Sequence, residues 1–317
     1  METMIREATK QDVPLIKIGV IMGGVSSEYE VSLNTGKEII ANLDDRKYDI
    51  YPIVIKSKKE LIDKVQGLDF VILALHGEFG EDGTIQGTLD AMGIPYTGSG
   101  LTSSAICMCK DISKKLLRYE GIQTPDWLIV RKANEIDYKK IEQLGYPVVI
   151  KPNSGGSSVA TYIVHSPEEV CSKVKEVLNL DNEVIIEQFI SGDEITCSIL
   201  VGDLLPILSI KPSAEIFDYS SKYNEGGAEE SVAELEDGLY RQIEEIAKKC
   251  YEVLKCSVYA RVDIIVKNGI PYVLEVNTLP GLTKNSLFPK SALAGGIPFN
   301  KLIELLIEYS IDARKKE

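Results

Sequence analysis

Strand, helix and strand follow one another through the first third of the chain, and two of the strands stop on glycine-containing turns. Lys17-Ile-Gly-Val-Ile-Met22 is an apolar run that ends at Gly23-Gly24, and Val31 to Leu43 carries apolar residues at helical spacing. Tyr48 to Ile55 reads as a strand, Lys58 to Gln66 as a short helix, and Asp69 to Leu75 as a buried strand closing on His76-Gly77. Thr84 to Met92 and Leu101 to Tyr119 read as helices. Alternation of this kind builds an open parallel sheet, whose ligands lie beyond the carboxyl ends of the strands. Both glycine turns sit at such ends.

Beyond that point the pattern changes. Tyr146 to Ile150 reads as a strand, the loop Lys151-Pro-Asn-Ser-Gly-Gly-Ser-Ser158 follows, and a second strand lies near Ala160 to Val164. A helix over Pro167 to Asn179 and a strand over Glu183 to Ile190 come next. From Ile207 a strand leads into a polar stretch, Pro212 to Glu236, and then an amphipathic helix from Gly238 to Leu254. Val258 to Val266 and Tyr272 to Val276 read as strands joined through Asn268-Gly269, and a last helix covers Phe299 to Tyr309. With 317 residues the chain has room for two or three cores. The expected division is a polar extension over 1–15, an N-terminal α/β domain over 16–111, and two α+β subdomains over 112–206 and 207–317.

Composition removes several function classes. Asp and Glu number 48 against 35 Lys and Arg, a net charge of −13, which opposes sequence-independent nucleic-acid binding. No apolar run approaches the ~18 residues of a membrane span. The cysteines at 107, 109, 171, 197, 250 and 256 form no CxxC pair, and His76 and His165 are the two histidines, so neither a disulfide frame nor a His-rich metal site is expected. These features together point to a cytoplasmic protein.

Three segments carry chemistry. The backbone amides of Gly155, Gly156, Ser157 and Ser158 can wrap phosphate oxygens, with Lys151 as counter-charge; the plain alternative is a glycine hairpin with an edge lysine. Arg261-Val-Asp263 and Glu275-Val-Asn277 each place two polar side chains on one strand face. Two carboxylates and an amide oxygen on one face suit Mg²⁺, and Arg261 beside them can meet developing negative charge; the alternative is a solvated polar face. Glu183-Val-Ile-Ile-Glu187-Gln-Phe189-Ile-Ser-Gly-Asp-Glu194 ends an apolar strand in a way that could offer a base slot and a ribose carboxylate, although most such segments are core strands.

In this order the three segments resemble the ATP-grasp superfamily, in which two α+β subdomains clamp ATP. Gly23-Gly-Val-Ser-Ser-Glu28-Tyr-Glu-Val-Ser32, Ala74-Leu-His-Gly77, Gly80-Glu-Asp-Gly-Thr-Ile-Gln-Gly87, Tyr96-Thr-Gly-Ser-Gly100, Lys222-Tyr223 and Glu275-Val-Asn-Thr-Leu-Pro-Gly-Leu-Thr-Lys-Asn-Ser286-Leu287 narrow it to the D-alanine–D-alanine ligases. The resemblance runs from about Lys17 to the last helix. It implies ATP-dependent ligation of two D-alanines through a D-alanyl phosphate, for peptidoglycan precursor synthesis, by an α/β domain followed by two α+β subdomains. Lys110 and Lys151 would hold the α- and β-phosphates and Lys222 the γ-phosphate, beneath the loop from Gly155 to Ser158. Glu187, Phe189 and Ile190 would line the adenine pocket, with Glu194 on the ribose. Asp263, Glu275 and Asn277 would bind two Mg²⁺ or Mn²⁺ ions, and potassium is a candidate activator. Glu28, in a trio with Ser157 and Tyr223, would take the first D-alanine's ammonium, with His76 nearby. Arg261 and the Gly281 amide would form the oxyanion site, and Ser286 and Leu287 would place the second D-alanine's carboxylate. A homodimer is implied, with neither nucleic-acid nor membrane partners.

The chain departs from the family in two places. The stretch after Tyr223 lacks the proline often found in the lid, and Asn153-Ser-Gly-Gly156 stands where relatives often carry a charged pair. The rival readings are a ligase using D-lactate or another D-residue, and a nucleotide-binding module without catalysis. Two expectations concern geometry. Cross-strand partners share a face, so a two-residue turn at Asn268-Gly269 would set Asp263 opposite Leu274 and turn Glu275 away. A three-residue loop, Lys267 to Gly269 with Gly269 left-handed in a bulge, is therefore expected. The polar stretch from about Ser213 to Glu234, which holds Lys222 and Tyr223, is expected to act as a lid ordered by ligands.

Overall fold

A computed structural model describes residues 15–156, 159–212 and 228–315. Ser157, Ser158, Lys222, Tyr223, nearly all of the 1–15 extension and most of the expected lid lie outside the described residues.

The first domain is the parallel sheet expected. Strands β1 (Ile16–Gly23), β2 (Tyr48–Ile55) and β3 (Phe70–Leu73) pair in the order β2-β1-β3. Ile18, Val20, Ile21, Phe70, Val71 and Leu73 are all buried, as a sheet covered on both faces requires. Helix α1 (Tyr29–Ile40) packs on β1, and α2 (Leu61–Lys64) is a single turn. At the end of β1 the Gly24 amide donates to the Ile55 carbonyl at 2.8 Å. A Cβ on Gly23 would lie 2.6 Å from that oxygen, and both glycines have φ near +90°, so the turn demands glycine. Helix α3 (Thr84–Met92) follows. The single helix expected over Leu101 to Tyr119 is instead two, α4 (Leu101–Met108) and α5 (Lys110–Tyr119), parted at Cys109 with ψ 98°. Asn153 causes the break by taking the new helix start: its carbonyl accepts from the Lys110 amide at 3.0 Å and its Oδ1 from the Asp111 amide at 2.8 Å.

Two antiparallel sheets follow. Strands β4 (Trp127–Val130), β5 (Val148–Pro152), β6 (Tyr162–Val164) and β7 (Val184–Gln188) pair in the order β4-β7-β5-β6. Val148, Ile150, Val184 and Ile186 face helices α6 (Tyr138–Leu144) and α7 (Pro167–Leu178), whose Ile141, Val170, Val174 and Val177 close that core. The period-2 alternation puts Trp127, Val149, Lys151 and Glu187 on the opposite face. The second sheet holds β8 (Asp193–Leu200), β9 (Asp203–Leu204), β10 (Leu208–Pro212), β11 (Ala228–Val232), β12 (Tyr259–Lys267) and β13 (Ile270–Asn277). Its order is β11-β10-β8-β12-β13, with β9 beside β8. Helix α8 (Asp237–Val253) covers one face through Ile243, Ala247 and Cys250.

Three expectations need correction. The boundary drawn at 206/207 cuts through this sheet: the chain changes sheets between Gln188 and Asp193, because Ile195, Cys197 and Ile199 on β8 share the core under α8. The first five described residues of the supposed lid, Ala228–Val232, form an edge strand on β10. The β12–β13 turn has two residues, with Asn268 at φ 52° and Gly269 at φ 75°, the left-handed pair that a tight hairpin needs. Asp263 still pairs with Glu275, because the register shifts by one beyond Ile264↔Val273 and Leu274 is the extra residue of a β-bulge.

Helices α9 (Leu287–Ala294) and α10 (Phe299–Arg314) end the fold. Leu302, Ile303, Leu306 and Ile307 of α10 share a core with Ile18 and Phe70, so the last helix returns to the first domain. The six cysteines are free, and no described helix is long and apolar enough to cross a membrane.

Candidate active site

Four charged side chains converge on the free face of the four-stranded sheet. Glu187 on β7 is 3% exposed. Its Oε2 accepts from Lys114 Nζ at 2.7 Å and its Oε1 pairs with Lys151 Nζ. Burial alone would push the Glu187 carboxyl up; Lys114 and Lys151 outweigh it and hold its pKa down at about 2. The pair is asymmetric. Burial, backed by repulsion from Lys151 and Arg118, outweighs the pull of Glu187 and brings Lys114 down to about 8. Burial also opposes the charge on Lys151, but Glu187 and then Glu275 prevail and raise its pKa. Lys110, the first residue of α5, donates to the Gly155 carbonyl at 2.5 Å and lies 3.4 Å from Glu275 Oε2. Phe189 is half-buried and Ile190 buried just past β7, and Glu194 lies on β8 opposite Ile265.

The bulged hairpin supplies the second group. Arg261 pairs with Asn277 and Asp263 with Glu275, so all four share a face. Arg261 donates twice to Asp263, at 2.9 and 2.8 Å, Asn277 Nδ2 donates at 3.0 Å, and the buried Thr196 hydroxyl at 2.7 Å. Burial works against the Arg261 charge, yet Asp263 and Glu275 raise its pKa. Among the described residues no three His, Cys, Asp or Glu side chains cluster as a metal site. The oxygen set here is two carboxylates and an amide, hard donors that fit Mg²⁺ or Mn²⁺.

The third group lies at the ends of β1 and β3. The buried Glu28 precedes α1, and its Oε2 is 3.1 Å from where a Cβ on Gly77 would stand and 3.5 Å from one on Gly156. The first domain thus meets the glycine loop of the second through this carboxylate. His76 is buried, with Nε2 3.2 Å from Thr35 Oγ1 and Nδ1 3.9 Å from Glu81. Burial pushes the Glu81 carboxyl up, with His76 pulling the other way. Beyond β13 a Cβ on Gly281 would meet Ser286 Oγ at 2.9 Å, and Ser286 bonds Thr283 Oγ1 at 2.8 Å. Ser286 stands at the first position before α9 with its hydroxyl turned to Thr283, and the side chain of Leu287 is buried beside Leu208 and Ile210. What Leu287 can offer a ligand is therefore its backbone amide at the helix start.

One open cleft takes its lining from all three groups, with Glu81, Met108, Lys110, Gly156, Glu275 and Asn277 on its walls. Two family models match the chain: D-ala D-ala ligase N-terminus over residues 17–66 and 56–99, and D-ala D-ala ligase C-terminus over 116–308. The D-alanine–D-alanine ligase of Bacillus anthracis is 55% identical over 302 residues, 95% of this chain and 99% of that one. The chain belongs to the D-alanine–D-alanine ligase family. The family's enzyme from Clostridium botulinum is 54% identical over 300 residues, 95% of this chain and 100% of its own. The solved structure of the B. anthracis ligase with ATP superposes at TM-score 0.87 with 52% identity, covering 95% and 99% of the two chains. The VanG D-Ala:D-Ser ligase of Enterococcus faecalis superposes at 0.82 with 32% identity, covering 94% and 100%. The architecture is accordingly ATP-grasp, an α/β domain followed by two α+β sheets.

The structure brings Lys110, Lys151, Gly155, Gly156 and Glu187 together on one side, Arg261, Asp263, Glu275 and Asn277 on a second, and Glu28 and His76 on a third. Ser157, Ser158, Lys222 and Tyr223 lie outside the described residues. Sequence reasoning passed over Lys114, Asn153 and Thr196. Lys114 stands four residues after Lys110 on one helix, and Thr196 alternates with Glu194 on β8, signals that become legible only when the facing strand is known.

Proposed function

We propose that this protein joins two D-alanines into D-alanyl-D-alanine with cleavage of ATP, for peptidoglycan precursors. The observation that supports it most is the convergence on one cleft of cations suited to phosphate, oxygen donors suited to a divalent ion, and a buried carboxylate suited to an ammonium. A carboxylate oxygen of the first D-alanine attacks the γ-phosphorus of ATP and the bond to the ADP oxygen breaks, giving an acyl phosphate. The amine of the second D-alanine attacks that carbonyl, phosphate leaves with the C–O bonding pair, and the amine loses a proton.

This chain's residues serve those steps by position and charge. Lys110 and Lys151 meet the α- and β-phosphates and Lys222 the γ-phosphate, beneath Gly155, Gly156, Ser157 and Ser158. Glu187, Phe189 and Ile190 receive the adenine, and Glu194 the ribose. Glu28, with Ser157 and Tyr223, takes the first ammonium beside His76. Arg261 and the Gly281 amide stabilise the tetrahedral oxyanion; one such donor typically contributes roughly 3 kcal/mol. Ser286 and the Leu287 amide take the second carboxylate. Asp263, Glu275 and Asn277 would hold two Mg²⁺ or Mn²⁺ ions, which supply charge neutralisation at the phosphates. Potassium activation, a homodimer and a cytoplasmic setting complete the proposal.

Phosphate release from ATP, measured with and without D-alanine, tests it. Release that requires D-alanine and yields the dipeptide is expected. Release without an amino acid, or none at all, overturns the ligase reading, and a product only with D-lactate or D-serine moves it to another acceptor.

A further inference from the structure

Lys114 has no part in the steps above, yet it is the most deeply buried lysine among the described residues, 1% exposed. Its position is fixed from three sides. Nζ donates to Glu187 Oε2 at 2.7 Å and lies 5.3 Å from the centroid of the Trp127 ring. Trp127 is the cross-strand partner of Glu187, and its Nε1 donates to Asp111 Oδ1 at 2.9 Å, one helical turn before Lys114. Arg118 stacks on the same ring at 4.4 Å. The start of α5 is in turn tied to Asn153. An ammonium between an aromatic face and a carboxylate is held by the ring's quadrupole as well as by the ion pair.

The other cation on Glu187 is less exclusive. Lys151 is drawn by Glu275 as well as by Glu187, and it stands at the head of the glycine loop. A nucleotide phosphate would compete for Lys151 and leave Glu187 to Lys114 alone. We propose that Lys114 is a positioning residue for base recognition, which keeps Glu187 an ionised and oriented acceptor and so selects a 6-aminopurine over a 6-oxopurine. The proposal rests on the reading that Glu187 meets the base. An ionised carboxylate has lone pairs only: it accepts from an exocyclic amine and repels an exocyclic carbonyl. Remove the Lys114 charge and the buried carboxyl takes up a proton more readily, becoming a donor that a carbonyl can satisfy.

The test compares ATP with ITP, its 6-oxo counterpart, as substrates of the whole enzyme. Lys114→Met removes the charge at similar volume. It is expected to raise the KM for ATP roughly tenfold, to change kcat less than about threefold, and to lower the ATP-over-ITP preference in kcat/KM at least about tenfold, as loss of a buried polar discriminator does. The KM for D-alanine should stay put. Glu187→Gln should also lose the preference, and Lys114→Met added to Glu187→Gln should change it less than about twofold, since one residue acts through the other.

If Glu187→Gln still prefers ATP, Glu187 does not read the base, and both the reading and the proposal fall. If Glu187→Gln loses the preference but Lys114→Met keeps it, or if the two substitutions multiply, the role of Lys114 alone is overturned. Should Lys114→Met fail to fold, Lys114→Gln, which removes the charge but keeps a hydrogen-bond donor for Glu187, makes the same comparison, and an unchanged ATP-over-ITP preference in it overturns the role of Lys114.

Discussion

Glu187 is a carboxylate that water does not reach, and two lysines make its charge tolerable. In the unfolded chain its pKa is the ordinary 4.5; in the fold it is held near 2. A group whose pKa is lowered by folding contributes stability above its unfolded pKa and loses it as pH falls through the folded one. The wild-type protein should therefore shed stability between about pH 4.5 and 2 more steeply than Glu187→Gln, which has no proton to gain. Urea unfolding of both forms across that range checks this, and parallel curves would refute it. At neutral pH the same variant should be the less stable, because it leaves Lys114 buried without its counter-charge. Neighbours hold Asp263 as well, since Thr196, Arg261 and Asn277 all donate to its two oxygens and fix where the carboxylate points.

Helix α5 begins where Asn153 tells it to. Asn153 is buried, accepts the Asp111 amide, and donates to Glu183 Oε2 at 2.7 Å, so one side chain joins the glycine loop, the helix start and the end of the Glu187 strand. Asn153→Ala removes the acceptor and leaves Glu183 short of a donor, at a cost of about 1–3 kcal/mol. Because Lys110 is the helix's first residue, the KM for ATP should rise while that for D-alanine does not. Thermal unfolding and steady-state kinetics measure the two effects, and an unchanged KM for ATP would detach the cap from the phosphate site. Propensity alone could not reveal this break, as Leu101 to Tyr119 is helix-forming throughout and the partner that divides it lies in another sheet. The hairpin was legible in a different measure. The need for Asp263 and Glu275 to share a face followed from period 2, and they do share one. How the register is achieved did not follow, since Asn268-Gly269 makes the tight turn its residues favour and Leu274 absorbs the mismatch. The parallel sheet and its glycine turns could be read directly, because Gly23 and Gly24 leave no alternative. The short strand β4 could not, as four residues carry too little pattern.

The division into serial domains is where the whole molecule differs most from its sequence. Strand β8 leaves its neighbours to join the last sheet, and α10 leaves the last sheet to pack on the first. Both moves follow from apolar faces that only distant elements can cover. Leu302 and Leu306 lie fully within the core built by Ile18, Val20 and Phe70, although more than two hundred residues separate them along the chain. The cleft lies between elements of all three regions, so this closure also fixes how Glu28 on the first domain meets the glycine loop of the second. Leu306→Ala should cost about 2–5 kcal/mol, as a buried leucine does when the space around it cannot collapse. The loss should not stay within α10. If the last helix and the parallel sheet form one cooperative unit, amide exchange should quicken at Val20 and Ile21 of β1 by the same free energy as at Ile303 and Ile307. Exchange that quickens in α10 alone would mean that the helix is a separable strap, and that the first domain holds its shape without it.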